Sequence, residues 1–304
     1  MQSSLSSIKV SQIRHIEGAA GICYNTVMSS QLRKMIALDL DGTLLTADKR
    51  ISDRSRKALS EAGAAGFEPV VVTGRPLSGL PEELEEIPQI RYAITSNGAV
   101  TTDLHSGAVL RSQLIPASMA ETIIPVPEKA GWLYCVFVDG IGFCAPQSYQ
   151  KLRALFDGTV LDSYVQRSRR KTDHIEELIR TSPGVENIWI VCETPGQASE
   201  LSARILEKSD LQVFRTAPKD IELGAPGADK GSALRELYRS LGIQREDVIA
   251  IGDNHNDLLM LEEAGTAVAM GNATEEIRRI SHKITDTNDN DGVAKTIEAL
   301  CRGL

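Results

Sequence analysis

From residue 35 onward, short apolar runs alternate with stretches of helical spacing. Residues 35–40 form a strand-like run that ends in acids. Residues 53–65 place Ala58, Leu59 and Ala62 on one helical face, and Gly66 stops them. A β-branched run at 69–73 ends at Gly74, and a third run at 92–95 ends at Ser96-Asn97-Gly98. Two more runs, 248–252 and 266–270, flank a helical stretch at 256–264. Strands alternating with helices predict βαβ units and a mostly parallel sheet buried on both faces.

The middle of the chain has another pattern. Residues 132–138 and 141–145 flank Asp139-Gly140, a strong hairpin signal. A helical stretch at 175–180, a strand at 187–192 and a helix at 198–208 follow. This predicts an α+β module over residues 117–217, set into a discontinuous parallel-sheet domain of residues 35–116 and 218–304. Pro116 and Pro218 mark the expected hinges. Residues 1–34 stand apart: they are rich in serine, and their basic residues Lys9, Arg14, Arg33 and Lys34 face one acid, Glu17. They hold no apolar run of signal-peptide length. The expectation is a dispensable extension, a start upstream of Met35, or a weak transit peptide.

Composition narrows the picture. The 304 residues allow one large domain or two at roughly 150 residues each. Hydrophobic residues at 42% and charged residues at 24% describe a globular chain, not a disordered or fibrous one. A net charge of −8 lacks the basic face of a nucleic-acid binder and the polybasic patch of a membrane-surface protein. No apolar run is long enough to span a bilayer. Cys23, Cys135, Cys144, Cys192 and Cys301 are scattered, odd in number and never in CxxC. They are expected to be small buried thiols rather than a disulfide framework, which suggests a cytoplasmic protein.

The candidate chemistry sits where strands end, the place where open α/β sheets bind ligands. Asp39 and Asp41 share one face of the chain before Gly42-Thr43 turns it away. Thr73-Gly74-Arg75 ends a strand, with Pro76 near the start of an expected helix whose N–H groups could meet an anion. Lys230, in Gly227-Ala228-Asp229-Lys230-Gly231, precedes a helix but lacks Walker A spacing. Asp253 and Asp257 bracket a strand-to-helix turn, and His255 between them is expected to be only a helix-start residue. Each element alone also fits a surface turn or a helix-dipole acid.

Together they resemble the haloacid dehalogenase (HAD) superfamily. Residues 36–45, Ile-Ala-Leu-Asp-Leu-Asp-Gly-Thr-Leu-Leu, are similar to its first motif. Val72-Thr73-Gly74-Arg75 is similar to the second, Lys230-Gly231 to the third, and Gly252-Asp253-Asn254-His255-Asn256-Asp257 to the fourth. Ser96-Asn97-Gly98-Ala99, residues 257–261, residues 268–273 and Asp291-Gly292-Val293-Ala294 narrow the resemblance to Cof-type phosphatases. The resemblance implies a Rossmann-like parallel-sheet core with an inserted α+β cap, and a Mg²⁺-dependent phosphatase of a small phosphorylated metabolite. Asp39 would be the nucleophile and Asp41 the acid and base. Asp39, the Asp41 carbonyl and Asp253 would hold Mg²⁺, with Asp257 supporting it one layer out. Thr73 and Lys230 would steady the phosphoryl oxygens, and Gly74, Arg75, Asn97 and Asn256 would face the phosphate or the leaving group. The expected partner is the metabolite alone, without nucleic acid or membrane, in a monomer or homodimer. The alternatives are a phosphomutase of the same superfamily and a catalytically idle sensor or interaction protein.

Overall fold

The computed structural model describes residues 33–215 and 217–303. The expectation for the leader therefore lies outside the described residues, apart from Arg33 and Lys34. In chain order the strands are β1 (Lys34–Leu38), β2 (Phe67–Val72), β3 (Tyr92–Thr95), β4 (Val100–Asp103), β5 (Ala108–Ser112), β6 (Leu133–Val138), β7 (Ile141–Cys144), β8 (Arg169–Lys171), β9 (Asn187–Val191), β10 (Gln212–Phe214), β11 (Asp220–Gly224), β12 (Val248–Gly252), β13 (Thr266–Ala269) and β14 (Lys283–Ile284).

They form two sheets. The larger runs β14-β13-β12-β1-β2-β3-β4-β5, parallel from β14 to β3 and antiparallel at the last two strands. β1 lies near its middle, and Met35, Ile36, Ala37 and Leu38 are fully buried. That burial on both faces is why the run reads as continuously apolar. Helix Asp53–Ala64 packs on Gly292–Arg302, and Lys230–Ser240 packs on Leu258–Glu263. Ser52 caps the first of these by accepting from the Ser55 amide.

The smaller sheet runs β10-β11-β9-β6-β7-β8, antiparallel except at β7–β8. Asp139 (φ 49°) and Gly140 (φ 73°) turn between β6 and β7. Two successive left-handed residues are what a two-residue hairpin demands. β11 belongs to this second sheet, so the sheet reaches past the boundary expected at residue 217.

Two expectations are corrected. Cys135 and Cys144 are not separate thiols but a disulfide. The hairpin register pairs Val136 with Phe143, which sets Cys135 and Cys144 opposite each other one step further out. Cys192 remains a free buried thiol and Cys301 a free, half-buried one. The helix expected after Arg75 is instead two 3₁₀ turns, Leu77–Gly79 and Glu82–Glu86. Pro76 and Pro81 precede them, and each lacks the amide donor that a continuing helix requires. No described helix is long and apolar enough to cross a membrane.

Candidate active site

β1 and β12 are parallel neighbours, with Leu38 paired to Ile251, so the chain leaves both strands side by side. The Asp39 amide continues the ladder by donating to the Ile251 carbonyl at 3.1 Å. Asp39 and Asp253 are thereby brought together from positions far apart in sequence. Gly42 turns the chain at φ 87°, and a Cβ there would collide with the Asp253 carboxylate. Thr43 donates its hydroxyl to Asp253 Oδ1 at 3.2 Å.

Lys230, at the start of helix Lys230–Ser240, enters from the side. Its Nζ donates to Asp39 Oδ1 and to Asp257 Oδ1, each at 2.6 Å, and its side chain is 0% exposed. Burial alone would lower its pKa, but the charges of Asp257 and Asp39 raise it above the ordinary lysine value. Lys230 is therefore a permanent cation. Asp257 spends Oδ2 on the amides of Asp253 (2.9 Å) and Asn254 (3.1 Å), which fixes the turn after β12. Carboxylate oxygens of Asp39, Asp253 and Asp257 all lie within 4.8 Å of one another. Burial and repulsion from Asp257 push the Asp253 carboxyl up to about 7. Burial and the same neighbour also raise Asp39, against the pull of Lys230.

One lysine does not neutralise three clustered acids. The excess negative charge and the all-oxygen donor set fit a hard divalent cation such as Mg²⁺. Asp257 already accepts at both oxygens, from Lys230 on one and from two amides on the other. Asp39 and Asp253 are the carboxylates with capacity left.

Asp41 lies at the rim, its side chain 40% exposed. Arg75 grips it with Nε on Oδ2 and Nη2 on Oδ1, both at 2.7 Å, and Lys49 Nζ adds a contact at 2.9 Å. Burial favours the neutral acid, but Arg75 and Lys49 outweigh it and hold the carboxyl at about 2. Arg75, expected at the phosphate, thus rests on Asp41. The Thr73 hydroxyl accepts from the Arg75 amide at 3.1 Å. Asn97 is left-handed (φ 56°), and its Oδ1 accepts from Asn256 Nδ2 at 3.3 Å. That oxygen would lie 2.9 Å from a Cβ on Gly74. Thr73, Gly74, Asn97 and Asn256 therefore converge. His255 lies outside this group, with Nδ1 2.8 Å from Glu276 on the surface.

Sequence reasoning missed Lys49 and every contribution from the second sheet. Asn97 Nδ2 donates to Glu222 of β11 at 2.5 Å, and Ser96 donates to Glu186 at 2.7 Å. The ring of Tyr164 lies 4.6 Å from the Arg75 guanidinium. Lys49 had a faint signal, a cation eight residues after Asp41 in a tight loop. The second-sheet residues had none.

Known proteins resemble this chain over most of its length. The sequence model described as haloacid dehalogenase-like hydrolase matches residues 36–297. A 5-amino-6-(5-phospho-D-ribitylamino)uracil phosphatase of Bacillus subtilis is 32% identical over 264 residues, 87% of this chain and 94% of the relative. The pyridoxal phosphate phosphatase of Escherichia coli is 27% identical, covering 87% of this chain and 97% of its own. A solved haloacid dehalogenase-like hydrolase of B. subtilis superposes with a TM-score of 0.78 at 32% identity, over 88% of this chain and 99% of its own. The chain belongs to the haloacid dehalogenase-like hydrolases, within their Cof-type branch.

Proposed function

We propose that this protein is a Mg²⁺-dependent phosphatase of a small phosphomonoester, working through an aspartyl-phosphate on Asp39. The observation that carries this reading is the pairing of Asp39 with Lys230 beside Asp253, at the ends of two adjacent parallel strands. The phosphatase names of the relatives support it.

An Asp39 oxygen attacks phosphorus while the ester oxygen departs in line, taking a proton from Asp41. Water then attacks the aspartyl-phosphate, Asp41 accepts its proton, and inorganic phosphate leaves with Asp39 restored. Asp41 carries a proton only after the incoming phosphate draws Arg75 away, since the paired carboxylate stays charged. Arg75 then serves the anion it was expected to bind. Lys230 and the Thr73 hydroxyl meet charge developing on the phosphoryl oxygens. Held by Asp39, the Asp41 carbonyl and Asp253, Mg²⁺ would supply charge neutralisation between two anions.

Hydrolysis of p-nitrophenyl phosphate with and without Mg²⁺ tests the proposal. Turnover that chelation abolishes is the expected result. Full activity in excess EDTA removes the metal from the mechanism, and no turnover of any phosphomonoester removes the function.

A further inference from the structure

We propose that Arg111 is a positioning residue of this site, one guanidinium on strand β5 that holds together the two segments carrying Asn97 and Lys230. The inference rests on the phosphatase reading above. It begins from an irregularity at the edge of the larger sheet. Thr101 pairs with Arg111 but Thr102 pairs with Val109, so Leu110 is an extra residue in β5. A bulge of this kind re-aims the side chains beside it. Val109 and Leu110 lie in solvent, whereas the Arg111 side chain is only 10% exposed.

All three nitrogens of the guanidinium are used. Nη1 donates to the Gly98 carbonyl, Nη2 to the Gly227 carbonyl at 2.7 Å, and Nε to Glu236 Oε2 at 2.9 Å. Gly98 follows Asn97 directly. Gly227 lies three residues before Lys230, and Glu236 is on the helix that Lys230 begins. Gln113 adds a second tie to the same loop, donating to the Pro226 carbonyl at 2.9 Å.

The backbone held in this way does not hold itself. Ser96, Asn97 and Gly98 are left-handed in succession, at φ 50°, 56° and 100°. Such residues persist only where their surroundings fix them. A Cβ on Gly98 would collide with the Asp229 carbonyl, so the turn is seated against the residue that caps the Lys230 helix. Asp229 makes that cap by accepting from the Ser232 amide at 2.7 Å. From the second sheet, Glu186 and Glu222 hold the side chains of Ser96 and Asn97. Arg111 holds the backbone at the other end of the turn. A planar fork fixes the separation of the two carbonyls it binds, which an ammonium on a flexible stem does not. Without the fork the turn relaxes, and Asn97 leaves its place beside Gly74 and Asn256.

The test is a double-mutant cycle read as kcat/KM for p-nitrophenyl phosphate with Mg²⁺, over wild type, Arg111→Met, Asn97→Ala and the pair. Arg111→Met is expected to lose about tenfold, the order of one hydrogen bond made by a charged group. Arg111→Lys keeps the charge without the fork and is expected to share that loss. In the Asn97→Ala background Arg111→Met should cost no more than about twofold, because the side chain it positions is gone. An arginine that serves stability alone costs the same in both backgrounds, so additive losses overturn the inference. So does wild-type kcat/KM in a folded Arg111→Met, Arg111→Lys or Asn97→Ala variant. Arg111→Lys carries the same cycle if Arg111→Met fails to fold. A wild type that hydrolyses no phosphomonoester fails the phosphatase reading, a result distinct from each of these.

Discussion

At Lys230 a single ammonium without solvent contact holds two carboxylates, and its removal strands both. Breaking a buried ion pair from one side costs about 3–5 kcal/mol, because the remaining charge has no water to return to. Lys230→Met is therefore expected to lower the unfolding free energy by that order in urea titration. A change near the ~0.5 kcal/mol of a surface substitution would falsify the pairing. Asp39→Asn behaves oppositely. The amide still accepts from Lys230 but cannot attack phosphorus, so turnover falls to background. The folded protein raises the Asp39 pKa, which means that its charge opposes folding at neutral pH. The neutral isostere should melt at or above the wild-type temperature, and a clearly lower melting point with activity retained contradicts both assignments. Asp39 was legible because Asp39-Leu40-Asp41 ends an apolar run. The grip of Arg75 on Asp41 was not, since the two residues lie 34 positions apart and strand alternation does not say where a long side chain reaches.

The turn after β12 shows what an element adds. Asp253 and Asp257 sit four residues apart, yet one faces the cluster with capacity to spare and the other secures the backbone. Asp253→Ala should weaken Mg²⁺ binding more than Asp257→Ala, whose supporting role is worth about 10–100-fold. A calorimetric Mg²⁺ titration giving the reverse order exchanges their roles. Without a cation Asp253 titrates near 7, so below that pH an incoming ion must displace a proton. Mg²⁺ affinity should fall as pH drops from about 8 to about 6, and a flat profile refutes the placement. Elements were legible where burial was two-sided, as in β1, β2, β3, β12 and β13. β4 carries Thr101, Thr102 and Asp103 and so shows no apolar run although it is buried, while β5 has only the short exposed run Ala108-Val109-Leu110 before Arg111. The Cys135–Cys144 disulfide was within reach of the sequence. Once Asp139-Gly140 is taken as a two-residue turn, the register follows and places them face to face.

Over the whole molecule, the second sheet closes on the first through contacts made by Ser78, Ser96 and Asn97, beside Arg75. Ser78 donates to the Gly140 carbonyl at 2.6 Å, Ser96 to Glu186, and Asn97 to Glu222. The outline of two bodies was legible from the change of hydrophobic pattern, but the second crossing was placed at Pro218 because that proline is the visible break. Strand β11 lies beyond it and still pairs with β9 and β10, since what decides membership is the partner strand, which local sequence does not name. This changes how a domain exchange must be built. A graft of residues 117–217 would split the second sheet and leave Glu222 behind with the core. A graft running from Pro116 to Gly224 carries the intact sheet and the acid that touches Asn97. Asp39, Asp41, Thr73, Lys230 and Asp253 stay in place. Exchanged with a relative of different substrate preference, the longer graft should fold and take the preference of the cap donor, because the excluded solvent and the contacts to the leaving group travel with it. Substrate profiling of the chimera checks this. A chimera that folds and keeps the preference of its core places selectivity in the parallel sheet and its loops instead.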